Sequence, residues 1–278
     1  MLSKNPKTRS VTIGAVTFGA GAPPAIIAGP CVIEDEETPL RIAARLKRIS
    51  VEVGLPIVFK ASYDKANRTS VTSFRGIGID EGLAVLARVG EETGLPLLSD
   101  VHAVDQVERA AAVLDCLQVP AFLCRQTDLL VACGKSGKAV NVKKGQFMSP
   151  QDVGNILSKV HSTGNQNVCL TERGASFGYG NLVTDFRAIP KVQAYGAPVV
   201  FDGTHSVQQP GGLGDKSGGE REMVPYLVRA AAAAGADGFF LEVHEDPEKA
   251  LSDGPNMLYL DDVADLLGEI KAIRAALA

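Results

Sequence analysis

Short apolar runs recur along this chain with the same punctuation each time. Gly54-Leu55-Pro56-Ile57-Val58-Phe59-Lys60 returns as Gly94-Leu95-Pro96-Leu97-Leu98-Ser99-Asp100 and again as Gly196-Ala197-Pro198-Val199-Val200-Phe201-Asp202. Gly235-Ala236-Asp237-Gly238-Phe239-Phe240-Leu241-Glu242 is a looser fourth copy. In this device a glycine closes the preceding helix in a left-handed cap and proline blocks its continuation. The apolar residues then form a strand buried on both faces, since a strand with one wet face would alternate. A charged residue ends each run.

The intervals between runs are helical in period. The clearest is Pro39 to Val53, with Thr38 as N-cap, Pro39 at the first helical position, and Ile42, Leu46, Ile49 and Val53 along one face. The full set of predicted strands is Ala25–Ala28, Ile57–Phe59, Leu97–Ser99, Cys116–Val119, Ala139–Val142, Asn167–Leu170, Val199–Phe201 and Phe239–Leu241, each followed by a helix-sized interval. Eight alternating units predict an α/β protein, a single (β/α)8 TIM barrel spanning residues 1–278 as one domain. Val11-Thr12-Ile13-Gly14-Ala15-Val16-Thr17-Phe18 breaks the alternation and reads as a short N-terminal β-hairpin covering the bottom of the barrel. An open doubly wound sheet is the alternative, disfavoured because no Gly-x-Gly-x-x-Gly turn or phosphate-loop motif follows any strand.

Composition narrows the setting. The length, 278 residues, is close to the roughly 250 of such barrels. A net charge of −4 argues against a nucleic-acid surface. No apolar run approaches the roughly 20 residues of a membrane span, and the start, Met-Leu-Ser-Lys-Asn-Pro-Lys, lacks a signal peptide's apolar core. The expectation is a cytoplasmic protein with neither nucleic acid nor membrane as partner. Five cysteines without close pairing suit a reducing compartment, so Cys31 counts as a thiol; Cys116, Cys124, Cys133 and Cys169, in or beside predicted elements, read as small hydrophobes. The run Ala230–Ala234 reads as helix packing.

In a barrel the residues just past the C-terminal ends of the strands converge on one mouth. Taken strand by strand they are Cys31; Lys60 and Lys65; Asp100 and His102; Gln118 and Arg125; Lys143 and Lys144; Glu172 and Arg173; Asp202 and His205; Glu242 and His244. The stretch from Phe59 to Ser70 sets Lys60, Lys65 and Arg68 among Asn67, Thr69 and Ser70, an arrangement suited to a small phosphorylated or carboxylated molecule. On the other side Cys31, His205 and Glu242, joined by Asp253, could form a mixed shell for Fe, Zn, Mn or Co. No short spacing such as Cys-x-x-Cys supports ligation, so an ordinary buried thiol and a loop histidine stay open on the residues alone.

Ala28-Gly29-Pro30-Cys31, Phe59-Lys60-Ala61-Ser62 through Lys65-Ala66-Asn67-Arg68, Gln118-Val119-Pro120-Ala121-Phe122-Leu123-Cys124-Arg125-Gln126, Asn141-Val142-Lys143-Lys144-Gly145-Gln146-Phe147 and Glu172-Arg173-Gly174 stand in this order along the chain. Together these motifs resemble those of 3-deoxy-D-manno-octulosonate 8-phosphate synthase of the metal-dependent type. The similarity runs from about Gly29 to Asp253. The sister family, 3-deoxy-D-arabino-heptulosonate 7-phosphate synthase, condenses with erythrose 4-phosphate and typically has Lys-Pro-Arg-Thr where this chain has Lys65-Ala66-Asn67-Arg68.

The resemblance implies condensation of phosphoenolpyruvate with arabinose 5-phosphate, a step in making the Kdo sugar of lipopolysaccharide. It assigns Lys60, Lys65, Gln118, Lys143 and Arg173 to phosphoenolpyruvate, and Asn67, Arg68, Thr69, Ser70, Asp100 and Arg125 to the sugar phosphate, Arg125 across a subunit boundary. Lys65, Asp100, Lys143, Arg173, His205 and Asp253 would be the catalytic set. Cysteine at position 31, where metal-independent members carry asparagine, implies a divalent metal on Cys31, His205, Glu242 and Asp253, and the family suggests a homotetramer. The glycine-rich segment Pro210–Gly219 reads either as a lid over the mouth or as a plain connection. Two rival functions are a class I aldolase, using Lys60 or Lys143 as Schiff-base nucleophile, and a non-catalytic sugar-phosphate binding barrel.

Overall fold

The computed structural model describes residues 6–68, 70–211 and 218–277. It begins with the hairpin β1 (Val11–Ile13) and β2 (Val16–Phe18), antiparallel, with Val11 opposite Phe18. Gly14 makes the turn at φ +55, and a Cβ there would meet the Pro96 ring at 2.7 Å.

The barrel follows as β3 (Ala25–Gly29), α1 (Glu37–Val53), β4 (Ile57–Lys60), α2 (Ile79–Thr93), β5 (Leu97–Asp100), α3 (Val104–Val113), β6 (Cys116–Val119), α4 (Thr127–Lys135), β7 (Ala139–Lys143), α5 (Val153–His161), β8 (Val168–Glu172), α6 (Ala188–Gln193) and β9 (Val199–Asp202). Two short strands, β10 (Gln208–Gln209) and β11 (Gly218–Gly219), then pair across the base of the glycine-rich segment. Residues 212–217 of that segment lie outside the described residues, so the lid reading falls there. The chain ends with α7 (Val224–Ala233), β12 (Gly238–His244), β13 (Leu258–Tyr259) and α8 (Val263–Ala276).

Strands β3 to β9 pair in chain order, all parallel, and β12 pairs with both β3 and β9, which closes an eight-stranded barrel. The predicted barrel and hairpin are both present. Glycines 54 and 94 cap α1 and α2 at φ 72 and 65, as the repeated punctuation requires. Most strands run one or two residues beyond the predicted ends, because the charged residue after the apolar run still pairs: Lys60 with Leu98, Asp100 with Gln118, Glu172 with Phe201. Helix α1 starts at Glu37, two residues before Pro39, and its cap is not Thr38. Asp35 accepts the backbone N–H groups of Glu37 (2.9 Å) and Thr38 (2.7 Å) and also the Thr38 hydroxyl (2.8 Å), so the carboxylate displaces the weaker cap.

Period two along each strand sorts the core into two layers. Ile26, Phe59, Leu117 and Phe201 face outward and pack under the helices, with Ile42, Leu46 and Ile49 of α1 and Ala231 and Ala232 of α7 among their partners. Ile27, Val58, Leu98, Cys116, Ala139, Cys169, Val200 and Phe240 face inward and form a plug with Val11, Ile13, Val16 and Phe18 of the hairpin. Asn167 holds the hairpin in place, its amide accepting from the Thr12 N–H and donating to the Thr12 carbonyl, both at 2.7 Å. Burial pushes the Cys133 and Cys169 thiols up to about 12 and raises Cys116 and Cys124 as well, in keeping with packing roles.

Candidate active site

The mouth is the same inward face carried two to four residues further. Val58 leads to Lys60, Leu98 to Asp100, Cys116 to Gln118, Ala139 through Asn141 to Lys143, Cys169 through Thr171 to Arg173, Val200 to Asp202, and Phe240 to Glu242. On the first strand Ile27 leads through Gly29 to Cys31, and Gly29 lies so close to the Lys60 carbonyl that no Cβ would fit. Above these residues opens a cavity of about 560 Å3. Lys60, Lys65, Asn67, Arg68, Asp100, Gln118, Lys143, Arg173, His205, Glu242 and Asp253 line it, so most of the predicted residues come together, and His102 joins them.

One wall is a hydrogen-bonded chain with a fixed direction. The Thr171 hydroxyl donates to Asn141 (2.7 Å), the Asn141 amide to Gln118 (2.8 Å), and the Gln118 amide to Asp100. The Ser62 hydroxyl donates to the other Asp100 oxygen at 2.5 Å and accepts from the Lys65 ammonium at 3.0 Å. Burial opposes ionisation of Asp100, yet Lys65, Lys60 and His102 outweigh it and hold its pKa well below the usual carboxylate range. Nearby, the Arg68 guanidinium donates to Ser252 (2.6 Å), and Arg173 donates to Gln208 (2.9 Å) while its second terminal nitrogen is buried without a partner.

The opposite wall is acidic. The Lys60 ammonium donates to Glu242 at 2.6 Å and to the Cys31 carbonyl at 2.9 Å, with Lys60 and Glu242 each 1% exposed. Burial works against ionised Glu242, but Lys60, His205 and Lys65 bring its pKa down to about 2. Cys31 is buried behind the cavity wall with Sγ 3.3 Å from Asp253, and burial together with the Glu242 charge raises its thiol well above the ordinary range. His205 presents Nε2 to Glu242 (3.6 Å) and Asp253 (3.8 Å), and Nδ1 to Asp202 (2.9 Å). Burial would lower the His205 pKa, but Asp202 and Glu242 raise it above its ordinary value.

Three of the four predicted metal residues meet in a cluster that could hold a cation. Among the described residues, Cys31, Glu242 and Asp253 offer ligand atoms within 4.8 Å of one another, with His205 Nε2 at the edge of that cluster. Glu242 Oε2 is buried without a hydrogen-bond partner, which coordination would satisfy. Thiolate, imidazole and two carboxylates form the soft and hard donor mix of a transition metal site. Asp253, which lines the cavity, sits at φ 52, a left-handed backbone that costs a residue with a side chain about 1 kcal/mol or more.

Other predicted residues are placed differently. Arg125 is exposed on its own chain, where its carbonyl accepts from Lys159 (2.7 Å), and it does not line the cavity. Ser70 also lies away from the lining, sharing a 2.9 Å hydrogen bond with Thr72, and Thr69 lies outside the described residues. Lys144 and Glu172, one residue out of phase with Lys143 and Arg173, face the other way. Lys144 lies 3.5 Å from Glu172 and donates to the carbonyls of Gly145 and Met148, so the pair braces a loop. His244 accepts the Asp246 N–H at 3.0 Å and staples the loop after β12. Conversely, Ser62, Asn141 and Thr171 escaped the sequence reading. The visible signal was a polar residue in phase with the mouth inside Ala139-Val140-Asn141-Val142-Lys143 and Val168-Cys169-Leu170-Thr171-Glu172.

Residues 4–276 match the model of the DAHP synthetase I family. The chain is 61% identical over 268 residues to a 2-dehydro-3-deoxyphosphooctonate aldolase of Citrifermentans bemidjiense, covering 96% of this chain and 98% of the relative. Proteins of the same name from Geobacter sp. strain M21 and Geobacter sulfurreducens are each 60% identical with the same coverage. With its barrel, its polar mouth and this likeness over nearly its whole length, the chain belongs to the DAHP synthetase I family, among the 2-dehydro-3-deoxyphosphooctonate aldolases.

Proposed function

We propose that this protein condenses phosphoenolpyruvate with D-arabinose 5-phosphate and water, giving 3-deoxy-D-manno-octulosonate 8-phosphate and inorganic phosphate. The observation that carries the reading is one cavity with a cationic wall and a thiol–imidazole–carboxylate wall, joined by the Lys60–Glu242 ion pair. C3 of phosphoenolpyruvate forms the new bond to the aldehyde carbon, water adds at C2, and the C2–O bond to phosphate breaks. One water proton ends on the new hydroxyl and the other on the departing phosphate.

Lys60, Lys65, Gln118, Lys143 and Arg173 hold the carboxylate and phosphate and stabilise charge as the C–O bond breaks. Asn67 and Arg68 on the cavity lining, with Thr69 and Ser70 of the adjoining loop closing in on the ligand, take the sugar phosphate, and ionised Asp100, oriented by Ser62 and Gln118, lies near its reacting end. Arg125, exposed and not part of its own cavity lining, reaches the mouth of a neighbouring copy in a homotetramer. A divalent Fe, Zn, Mn or Co on Cys31, His205, Glu242 and Asp253 would supply positive charge to polarise the aldehyde or position the water. We place the protein in the cytoplasm; among the described residues no helix is long and apolar enough to cross a membrane.

The test is phosphate release from phosphoenolpyruvate with arabinose 5-phosphate or erythrose 4-phosphate, before and after chelation. Turnover with arabinose 5-phosphate, abolished by the chelator and restored by metal, is expected. Preference for erythrose 4-phosphate would overturn the sugar assignment, and full activity in a verified metal-free sample the metal. Borohydride inactivation that needs substrate and ignores chelators would favour a Schiff base instead.

A further inference from the structure

A carboxylate outside both proposed ligand sets joins them. Asp202 closes β9 wholly buried, and both of its oxygens are engaged. Oδ1 accepts the backbone N–H of His205 (2.9 Å) and the Thr204 hydroxyl (3.2 Å). Oδ2 accepts the Lys143 ammonium and lies 2.9 Å from His205 Nδ1, a close charge contact outside hydrogen-bond geometry. Its surroundings leave it little freedom: the Ser206 hydroxyl donates to the Asp202 carbonyl at 2.6 Å, and Thr204 Oγ1 accepts the Glu242 N–H at 3.1 Å. Lys143 is fixed from the other side by the Phe240 ring, 3.3 Å from the ammonium to the ring centroid.

We infer that Asp202 is a positioning residue for both halves of the site. The Asp202 charge, 2.9 Å from Nδ1 though outside hydrogen-bond geometry, favours the His205 tautomer protonated at Nδ1, whose free Nε2 faces Glu242 and Asp253, and the same oxygen holds the Lys143 ammonium toward the cavity. What these two residues bind, a metal and phosphoenolpyruvate, rests on the function proposed above; the tautomer and the shared oxygen do not.

Asp202→Asn keeps the size and changes the chemistry. Its amide oxygen is claimed by the His205 N–H and the Thr204 hydroxyl, so its NH2 group faces Lys143 and Nδ1. A donor there makes Nδ1 the acceptor, moves the imidazole proton to Nε2 and sets an amide N–H against an ammonium. Zn2+ and Mn2+ affinity, read by competition with a chromogenic chelator, should fall about 10 to 100-fold. Phosphoenolpyruvate affinity of the metal-free protein, read by calorimetry, should fall about tenfold, as loss of a charged hydrogen bond implies. Folded Asp202→Asn protein that binds both as wild type does would overturn the inference. Should the variant not fold, 15N spectra of the neutral histidine rings in metal-free wild type at alkaline pH decide instead: Nδ1–H at His205 supports it and Nε2–H refutes it. Cys31→Ser separates the two levels of argument. Metal binding by wild type that Cys31→Ser does not weaken would undo the proposed metal site, whereas equal binding by wild type and Asp202→Asn undoes only the role of Asp202.

Discussion

The plug and the mouth are built on the same eight inward-facing rows, two to four residues apart, and they use burial in opposite ways. At the bottom, Val58, Leu98, Val200 and Phe240 meet the hairpin with no polar atom among their side chains, so burial stabilises at roughly 25 cal/mol per Å2 of apolar surface. One step up, Lys60, Asp100, Asp202 and Glu242 are also buried but charged, and each has a partner of opposite sign beside it. Such pairs add little net stability, since desolvation cancels much of the attraction. The contrast shows a division of labour along each strand: the lower residues hold the barrel together, and the upper ones are tolerated for what they can bind.

That division can be broken from either end. Phe18→Ala empties a fully buried position in the plug and should cost about 3–5 kcal/mol, lowering the melting temperature on the order of 10 °C, with the Michaelis constants of the surviving enzyme unchanged. Arg173→Ala, its counterpart at the mouth, should leave the melting temperature within a few degrees while kcat/KM falls about 10²- to 10³-fold. Thermal unfolding and steady-state kinetics on both variants decide it; a plug variant that alters substrate affinity more than stability would sink the comparison.

The plug and the barrel were legible in the chain because local rules produce them. Glycine, proline and a few apolar residues mark each strand wherever it lies, and Gly14 between Ile13 and Val16 marks the hairpin turn. The cations of the mouth were legible for the same reason, standing at the ends of those runs. What could not be read was pairing between distant strands: that Thr171 would turn Asn141, Asn141 turn Gln118, and Gln118 meet Asp100 depends on barrel register, which no local spacing encodes. Phase within a strand was available and would have separated Lys143 from Lys144, since only the first is in step with Asn141. Ser70 stayed out of the cavity because nearness in sequence to a strand end does not fix where a loop side chain turns.

The charged layer makes a second, subtler claim. Lys60→Met strips Glu242 of its nearest partner and should cost about 3–5 kcal/mol, although Lys65 at 3.9 Å gives some relief. Adding Glu242→Leu removes the orphaned charge, so Lys60→Met/Glu242→Leu should recover most of that stability, or exceed wild type, while remaining inactive. Denaturant unfolding of the single and double variants in metal-free buffer measures this. A double variant less stable than the single one would mean that the pair is a net stabiliser and that the mouth also holds the barrel together.

The smallest effect is a stability difference that shrinks in acid. Asp100 titrates below its ordinary value of 3.8 in the folded chain, because Lys65, Lys60 and His102 outweigh the burial that opposes its charge. An unfolded chain therefore binds a proton at a higher pH than the folded one does, and ionised Asp100 contributes stability that is fully present above about pH 4 and drains away as pH falls through the folded value. Asp100→Asn removes that contribution. It also presents Gln118 and Ser62, both donors to Asp100, with an amide that can accept from one while turning its own N–H groups toward the other. The variant should be less stable than wild type at neutral pH, and the gap should narrow as pH falls below 4, measured by urea unfolding of the metal-free proteins. A gap that stays constant through the acid range would mean that the Asp100 charge is not held by the cations around it, and the mouth would then be a hydrogen-bonded wall whose stability owes nothing to its ion pairs.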